Sequence, residues 1–248
     1  MKRKKNAFTL IEILVTLGVI GIVAALTLPG IIDDTKKKTA AAELARCTEL
    51  TQTGIANVMH QVGKHTDGAV SADKLSDIKV SDVFGASELT DNYLTNGQTL
   101  FTSTRGPMGI TEVDNSYLSG VKTYAGGSIS NLYANFSSSN VYQFIKRHSV
   151  IIVEDINDAN AANADKDEVI ARIFFDINGK DGPNVLAKDI FLFGLTNGGH
   201  LVPAGSNAYN QNTMNETIPL FAEACNDGVT DGRSCSARIM NDKWKINY

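Results

Sequence analysis

The sequence predicts an α+β fold: a long N-terminal helix, transmembrane in its first half, packed on an antiparallel β-sheet. Three observations predict it. An apolar run from Phe8 to Leu28 opens the chain. A narrow apolar stripe at three- and four-residue steps continues through residues 33–64. Three runs rich in β-branched and aromatic residues, divided by turn-forming residues, fill the C-terminal third.

The first run spans 21 residues. As a helix it would be about 31 Å long, enough to cross a hydrocarbon layer of about 30 Å. Glu12 is its one charge, and a carboxylate within a membrane-length segment is costly enough to mark a functional position. Thr9, Thr16 and Thr27 are tolerable there because a helical threonine can return its hydroxyl to a backbone carbonyl. Lys2, Arg3, Lys4 and Lys5 precede the run with no acid among them, whereas Lys36, Lys37 and Lys38 follow Asp33 and Asp34. This asymmetry places the N-terminus in the cytoplasm and the rest of the chain outside. A secretory signal peptide fits poorly: its apolar core is shorter and ends in a small-residue cleavage site, and here Ala24-Ala25 is followed by Leu-Thr-Leu. Gly18 and Gly21 permit close helix approach in a membrane.

The second half of the helix is read from Leu44, Cys47, Thr51, Ile55, Val58 and Val62. No strong stop separates it from the first half, so one long helix with a bend at Pro29 is expected. Residues 66–148 are rich in Gly, Ser, Asn, Asp and Thr, and short elements are expected around Val80–Leu94 and Val141–Ile145. Ser149–Ile156, Val169–Ile177 and Asp189–Leu195 read as strands. Asn157–Asp167 reads as a long turn, Thr196–Gly199 as a hairpin turn, and His200–Val202 as a return strand. A short helix or turn is expected at Ser236–Asp242.

Cys225 and Cys235 lie ten positions apart in a Gly/Asp/Asn-rich segment, and outside the cytoplasm such a pair reads as a structural disulfide. Cys47 reads as a small buried apolar residue. The chain has 23 basic and 27 acidic residues, and the first seven positions hold four of the basic ones and none of the acids. The remainder therefore carries a net −8. A nucleic-acid-binding surface would show a basic stripe, so no nucleic-acid partner is indicated. His60, His65, His148 and His200 are scattered, and no hydrolase, P-loop or dinucleotide motif is present, so no catalytic residue is assigned.

Lys5-Asn6-Ala7-Phe8-Thr9-Leu10-Ile11-Glu12, opening an apolar helix, resembles the processing site of type IV pilins and type II secretion pseudopilins. The resemblance is close over about 30 residues and architectural beyond them. It implies a pilin-like fold and a structural subunit, tilted by chain length toward a minor one. A prepilin peptidase would cut between Ala7 and Phe8 on the cytoplasmic side and methylate the new Phe8 amine. Ala7 stands where the family usually has Gly. Glu12 occupies the family's acid position, facing a Phe8 amine of its own or a neighbouring subunit. Pro29 falls where many members carry a helix-bending proline.

The implied organisation is a leader (1–7), a transmembrane and assembly helix (8–29), the exported half of that helix (30–65) and a globular domain with a C-terminal disulfide region (66–248). The implied partners are the peptidase, other pilin or pseudopilin subunits, the assembly platform in the inner membrane, and lipid before assembly. The implied location is the bacterial inner membrane, single-pass, with the C-terminal domain periplasmic or extracellular, and then a filament. The rival reading is a single-pass anchored exported binding protein that does not polymerise.

No cofactor is expected. The run from Asp176 to Asn184 opens D-x-N like a calcium loop, and some major pseudopilins bind calcium. An EF-type loop, however, needs an oxygen ligand fifth and Gly sixth, where this chain has Lys180 and Asp181. The run is read as a strand–turn–strand connection.

Overall fold

A computed structural model describes residues 9–65, 84, 110–144, 147–155, 165–211, 218–225 and 231–248. The expected elements around Val80–Leu94, apart from Phe84, and most of the 157–167 turn lie outside the described residues. The chain divides into two compact units after Thr39.

Helix α1 runs Leu10–His65, and Pro29 lies inside it. In the first unit Leu10, Leu14, Leu17, Ile20, Leu26 and Ile31 are all exposed. An apolar surface this continuous has no counterpart on ordinary soluble monomers. It forms because the run of leucine, isoleucine and valine is apolar on every side of the helix, with no polar face to turn toward water. Among the described residues, this is the one helix long and apolar enough to cross a membrane.

In the second unit the strands are β1 (Ile110–Val113), β2 (Asn140–Phe144), β3 (Val150–Asp155), β4 (Val169–Asp176), β5 (Ile190–Thr196) and β6 (Leu201–Pro203). They form one antiparallel meander in sequence order. The period of two sorts their side chains onto two faces. Ile151, Val153, Ile173, Phe175, Phe191, Phe193 and Leu195 join Leu44, Cys47, Ile55 and Val58 of α1 in one core. Val150, Ile152, Phe174, Ile190 and Leu192 join a second core on the opposite face. Full burial of each such side chain contributes roughly 1.5–3 kcal/mol.

The second core is covered by three short 3₁₀ turns, Ser116–Gly120, Ile129–Asn131 and Phe136–Ser138, which supply Leu118, Ile129 and Phe136. Tyr209 of helix α2 (Asn207–Gln211) completes it. The sheet is therefore buried on both sides, more than the expected sheet against one helix. Tyr133 and Phe136 each meet the Phe174 ring edge-on. Gly194 is needed where β5 passes β4 and α2: a Cβ there would lie 2.8 Å from Val169 Cγ1 and 3.0 Å from Tyr209 Cε2.

Two short helices follow, α3 (Phe221–Ala224) and α4 (Cys235–Asn241). Lys243 and Trp244 both take left-handed backbone conformations, φ 56° and 59°, which reverse the chain after α4. Trp244, Ile246 and Tyr248 then pack against the α1-side core at alternate positions, and the Tyr248 hydroxyl donates to the Ala187 carbonyl at 3.0 Å.

Candidate functional site

The first described turn of α1 carries the site residue singled out by charge. Thr9 precedes the helix, and its backbone N–H donates to Glu12 Oε2 at 2.8 Å. The Thr9 hydroxyl donates to the same oxygen at 2.9 Å, and Glu12 N–H faces the Thr9 hydroxyl at 3.4 Å. This is a capping box. A threonine before the helix and a glutamate three residues on satisfy each other's backbone groups at an end that would otherwise leave donors unpaired. The carboxylate also sits at the positive end of the helix dipole. Both bonds converge on Oε2, and among the described residues Oε1 accepts none. The T-x-x-E spacing was readable in the sequence. Treating Glu12 as a lone acid in an apolar run hid it.

The other hydroxyls of the run return to the backbone. Thr16 Oγ1 donates to the Glu12 and Ile13 carbonyls at 2.9 and 3.0 Å, and Thr27 Oγ1 to the Val23 carbonyl at 3.0 Å. A Cβ built at Gly18 or Gly21 meets nothing within 4 Å, so these positions are open on the helix surface. Ala7 and Phe8, where cleavage is expected, lie outside the described residues.

In the second unit, a polar clamp fixes α1 to the sheet. Arg147 Nη1 donates to both Glu43 oxygens at 2.7 and 2.8 Å, and the Ser149 hydroxyl donates to Oε1 at 2.9 Å. Burial pushes the Glu43 carboxyl up. The hydrogen bonds from Arg147 and Ser149 and the charges of Arg147 and Arg46 outweigh it and hold the group below its ordinary value. Cys47, one turn along, is fully buried, and burial pushes its thiol up to about 12. A thiol that stays protonated is neither a nucleophile nor a metal ligand at neutral pH.

Cys225 and Cys235 are bridged, with Cα atoms 5.2 Å apart. The bridge packs with Ala187, Tyr124, Phe221 and Tyr248 into a third small cluster. It ties the end of α3 to the start of α4 and braces the β4–β5 connection through Ala187.

That connection collects buried acids. Asp176 ends β4 with 0% exposure and Asp189 precedes β5 with 4%. Burial, then the neighbouring Asp189 charge, push the Asp176 carboxyl up to about 8. His148 and Asp181, 3.7 Å apart, are both exposed. Among the described residues, no group of three or more His, Cys, Asp or Glu is placed to hold a metal ion.

Residues 2–28 match the family model described as the prokaryotic N-terminal methylation motif. That motif is the hallmark of the processing signal of type IV pilins and pseudopilins. Searches of curated proteins and of solved structures found no match.

Proposed function

We propose that this chain is the precursor of a pilin-like structural subunit, a minor component of a type IV pilus or type II secretion pseudopilus. The observation that carries the reading is the match over residues 2–28 to a methylation motif, on a segment that begins with a capped helix end and continues as an exposed apolar helix. A prepilin peptidase cuts between Ala7 and Phe8, methylates the Phe8 amine and removes the four cations of the leader. The helix remains in the inner membrane with its N-terminus cytoplasmic until the assembly platform passes the subunit into a filament, and Pro29 gives it a place to bend on the way.

Glu12 has two tasks in this scheme. Oε2 is engaged by Thr9, whose N–H belongs to the Phe8–Thr9 bond and so survives the cut. Oε1 is left to accept from a methylated amine. If that amine belongs to the next subunit, the contact is head-to-tail and does not close, which generates an open fibre. Apolar helices then pack against one another where lipid had been. A structural role also agrees with the inert Cys47 and with the lack of a catalytic motif in the sequence.

Mass spectrometry of the mature N-terminus tests the reading. N-methyl-phenylalanine at position 8 is the expected result, and an intact Met1 in cells that process other prepilins would overturn it.

A further inference from the structure

The apolar surface of α1 ends in a short block of charge. Ile31 and Ile32 are the last exposed large apolar side chains of the run, and Asp33, Asp34, Lys36, Lys37 and Lys38 follow. All of them lie in the first unit. Lys37 Nζ stands 3.5 Å from Asp33 Oδ2 of its own chain, an i,i+4 pair. Asp34 and Lys38 have the same spacing and are both exposed. Among the described residues, however, neither takes part in an ion pair. The block therefore presents a free acid one turn before a free base.

The start of the run carries the same arrangement with the signs exchanged. Glu12 follows Phe8 by four residues, as Lys37 follows Asp33 and Lys38 follows Asp34. In the cut chain the cation at Phe8 comes first and the acid second, whereas at the far end the acids come first and the bases second. Two copies can be set side by side and parallel, one shifted along the axis by four residues, about 6 Å. Residue i of the shifted copy then stands beside residue i+4 of the other. Phe8 meets Glu12, Asp33 meets Lys37 and Asp34 meets Lys38, so every contact joins opposite charges. An unshifted pair instead puts Glu12 beside Glu12, Asp34 beside Asp34 and Lys38 beside Lys38. Side-chain reach preserves the match. Glu12 leans back to the Thr9 N–H at 2.8 Å and Lys37 leans back to Asp33, so both heads are displaced toward the N-terminus by about one turn.

We propose that the block from Asp33 to Lys38 is a second contact surface of α1, whose partner is a parallel copy of this chain shifted by about one helical turn, with Asp34 of one copy paired to Lys38 of the other. The inference rests on the proposed function, which supplies the amine at Phe8 and the parallel packing of the helices. It applies wherever two copies are neighbours. The block lies past the apolar run, so its charges do not bear the cost of burial in lipid. Exposed ion pairs add little binding energy, and their use here is to fix register. Glu12 and Asp33 are about 32 Å apart along the helix, so a wrong shift is opposed at both ends of the run. The contact is head-to-tail and repeats without closing.

The test uses the full chain from cells that process prepilins. Heavy-nitrogen-labelled and unlabelled chains are mixed in detergent, reconstituted together into lipid vesicles and treated with a carbodiimide, which joins lysine to aspartate at ion-pair distance. Mass spectrometry of the digest should find Asp34–Lys38 links that join labelled to unlabelled peptides. Links confined to one isotope, or no link at all, would overturn the contact. In cells, the Lys37→Gln/Lys38→Gln double variant should be inserted, cut and methylated at Phe8. It should enter sheared filaments about threefold less well than the wild type, with Lys37→Arg/Lys38→Arg restoring entry. Undiminished entry of the glutamine variant would also overturn the contact. The two readings fail separately: N-methyl-Phe8 on chains without mixed links removes this contact alone, whereas an intact Met1 removes the proposed function and the inference with it.

Discussion

Arg147 grips Glu43 from 104 positions away, with Nη1 2.7 Å from Oε1 and 2.8 Å from Oε2. The pair joins α1 to the loop between β2 and β3, and Ser149 adds a third donor. Both side chains are mostly shielded, at 21% and 27% exposure, so the contact is worth more than a surface ion pair. Glu43→Gln should cost about 1–3 kcal/mol in unfolding free energy. The pH dependence has a definite sign. The folded-state pKa lies below the ordinary value of a glutamate carboxyl, so the native state binds fewer protons than the unfolded one. The stabilisation is present above that value and is lost as pH falls through the lowered folded value. Acid unfolding followed by circular dichroism should be less steep in this range for Glu43→Gln.

The capping box predicts a graded result at the helix start. Glu12→Ala should still insert and be cut, yet be excluded from filaments purified by shearing. Thr9→Ala keeps the acid and the backbone bond but loses the hydroxyl, weakening the helix end by about 1 kcal/mol. It should show partial incorporation, with Thr9→Ser restoring it. Normal incorporation of Glu12→Ala would remove the assembly role given to the carboxylate.

Cysteine chemistry gives a third expectation. A non-reducing peptide map should find Cys225 joined to Cys235. Cys47 should resist thiol-directed reagents in the folded chain and react after denaturation, because burial holds its thiol near 12. Replacing Cys225 and Cys235 by serine should cost about 2–3 kcal/mol, the amount associated with closing a short loop.

Glycine contrast offers a fourth. Gly194→Ala drives a methyl group against Val169 and Tyr209 and should destabilise by about 1–3 kcal/mol. Gly120→Ala meets nothing within 4 Å and should be close to neutral. Urea titrations of the two variants side by side measure the difference.

The strands from β3 to β6 were legible because their residues are β-branched or aromatic and end in turn-forming residues, whereas β2 fell in a stretch read only as a short element of unstated type. β1 was not: Ile-Thr-Glu-Val is four residues long and alternates too briefly to stand out from its polar surroundings. The covering layer over the second core was missed as well. Leu118, Ile129, Tyr133 and Phe136 sit singly among Ser, Asn and Gly, without any period. A signal for that layer did exist in β3, β4 and β5, whose near-continuous apolar runs require burial on both faces. Cys47 and the 225–235 pair could be read from composition and spacing. The Glu43–Arg147 clamp leaves no local trace, since its partners meet only when the sheet forms.

One contact at the sheet margin has a wider meaning. The Gln52 side chain donates to the Gly199 carbonyl at 2.7 Å and accepts from the Leu201 N–H at 2.9 Å. Pro203, at the other end of β6, has no N–H to offer. A glutamine amide thus imitates the backbone of a seventh strand, and a proline leaves the rest of the margin without a donor. Proteins crowded side by side are at risk of joining through open strand edges and precipitating. At β6 this chain closes that route to strand-edge aggregation.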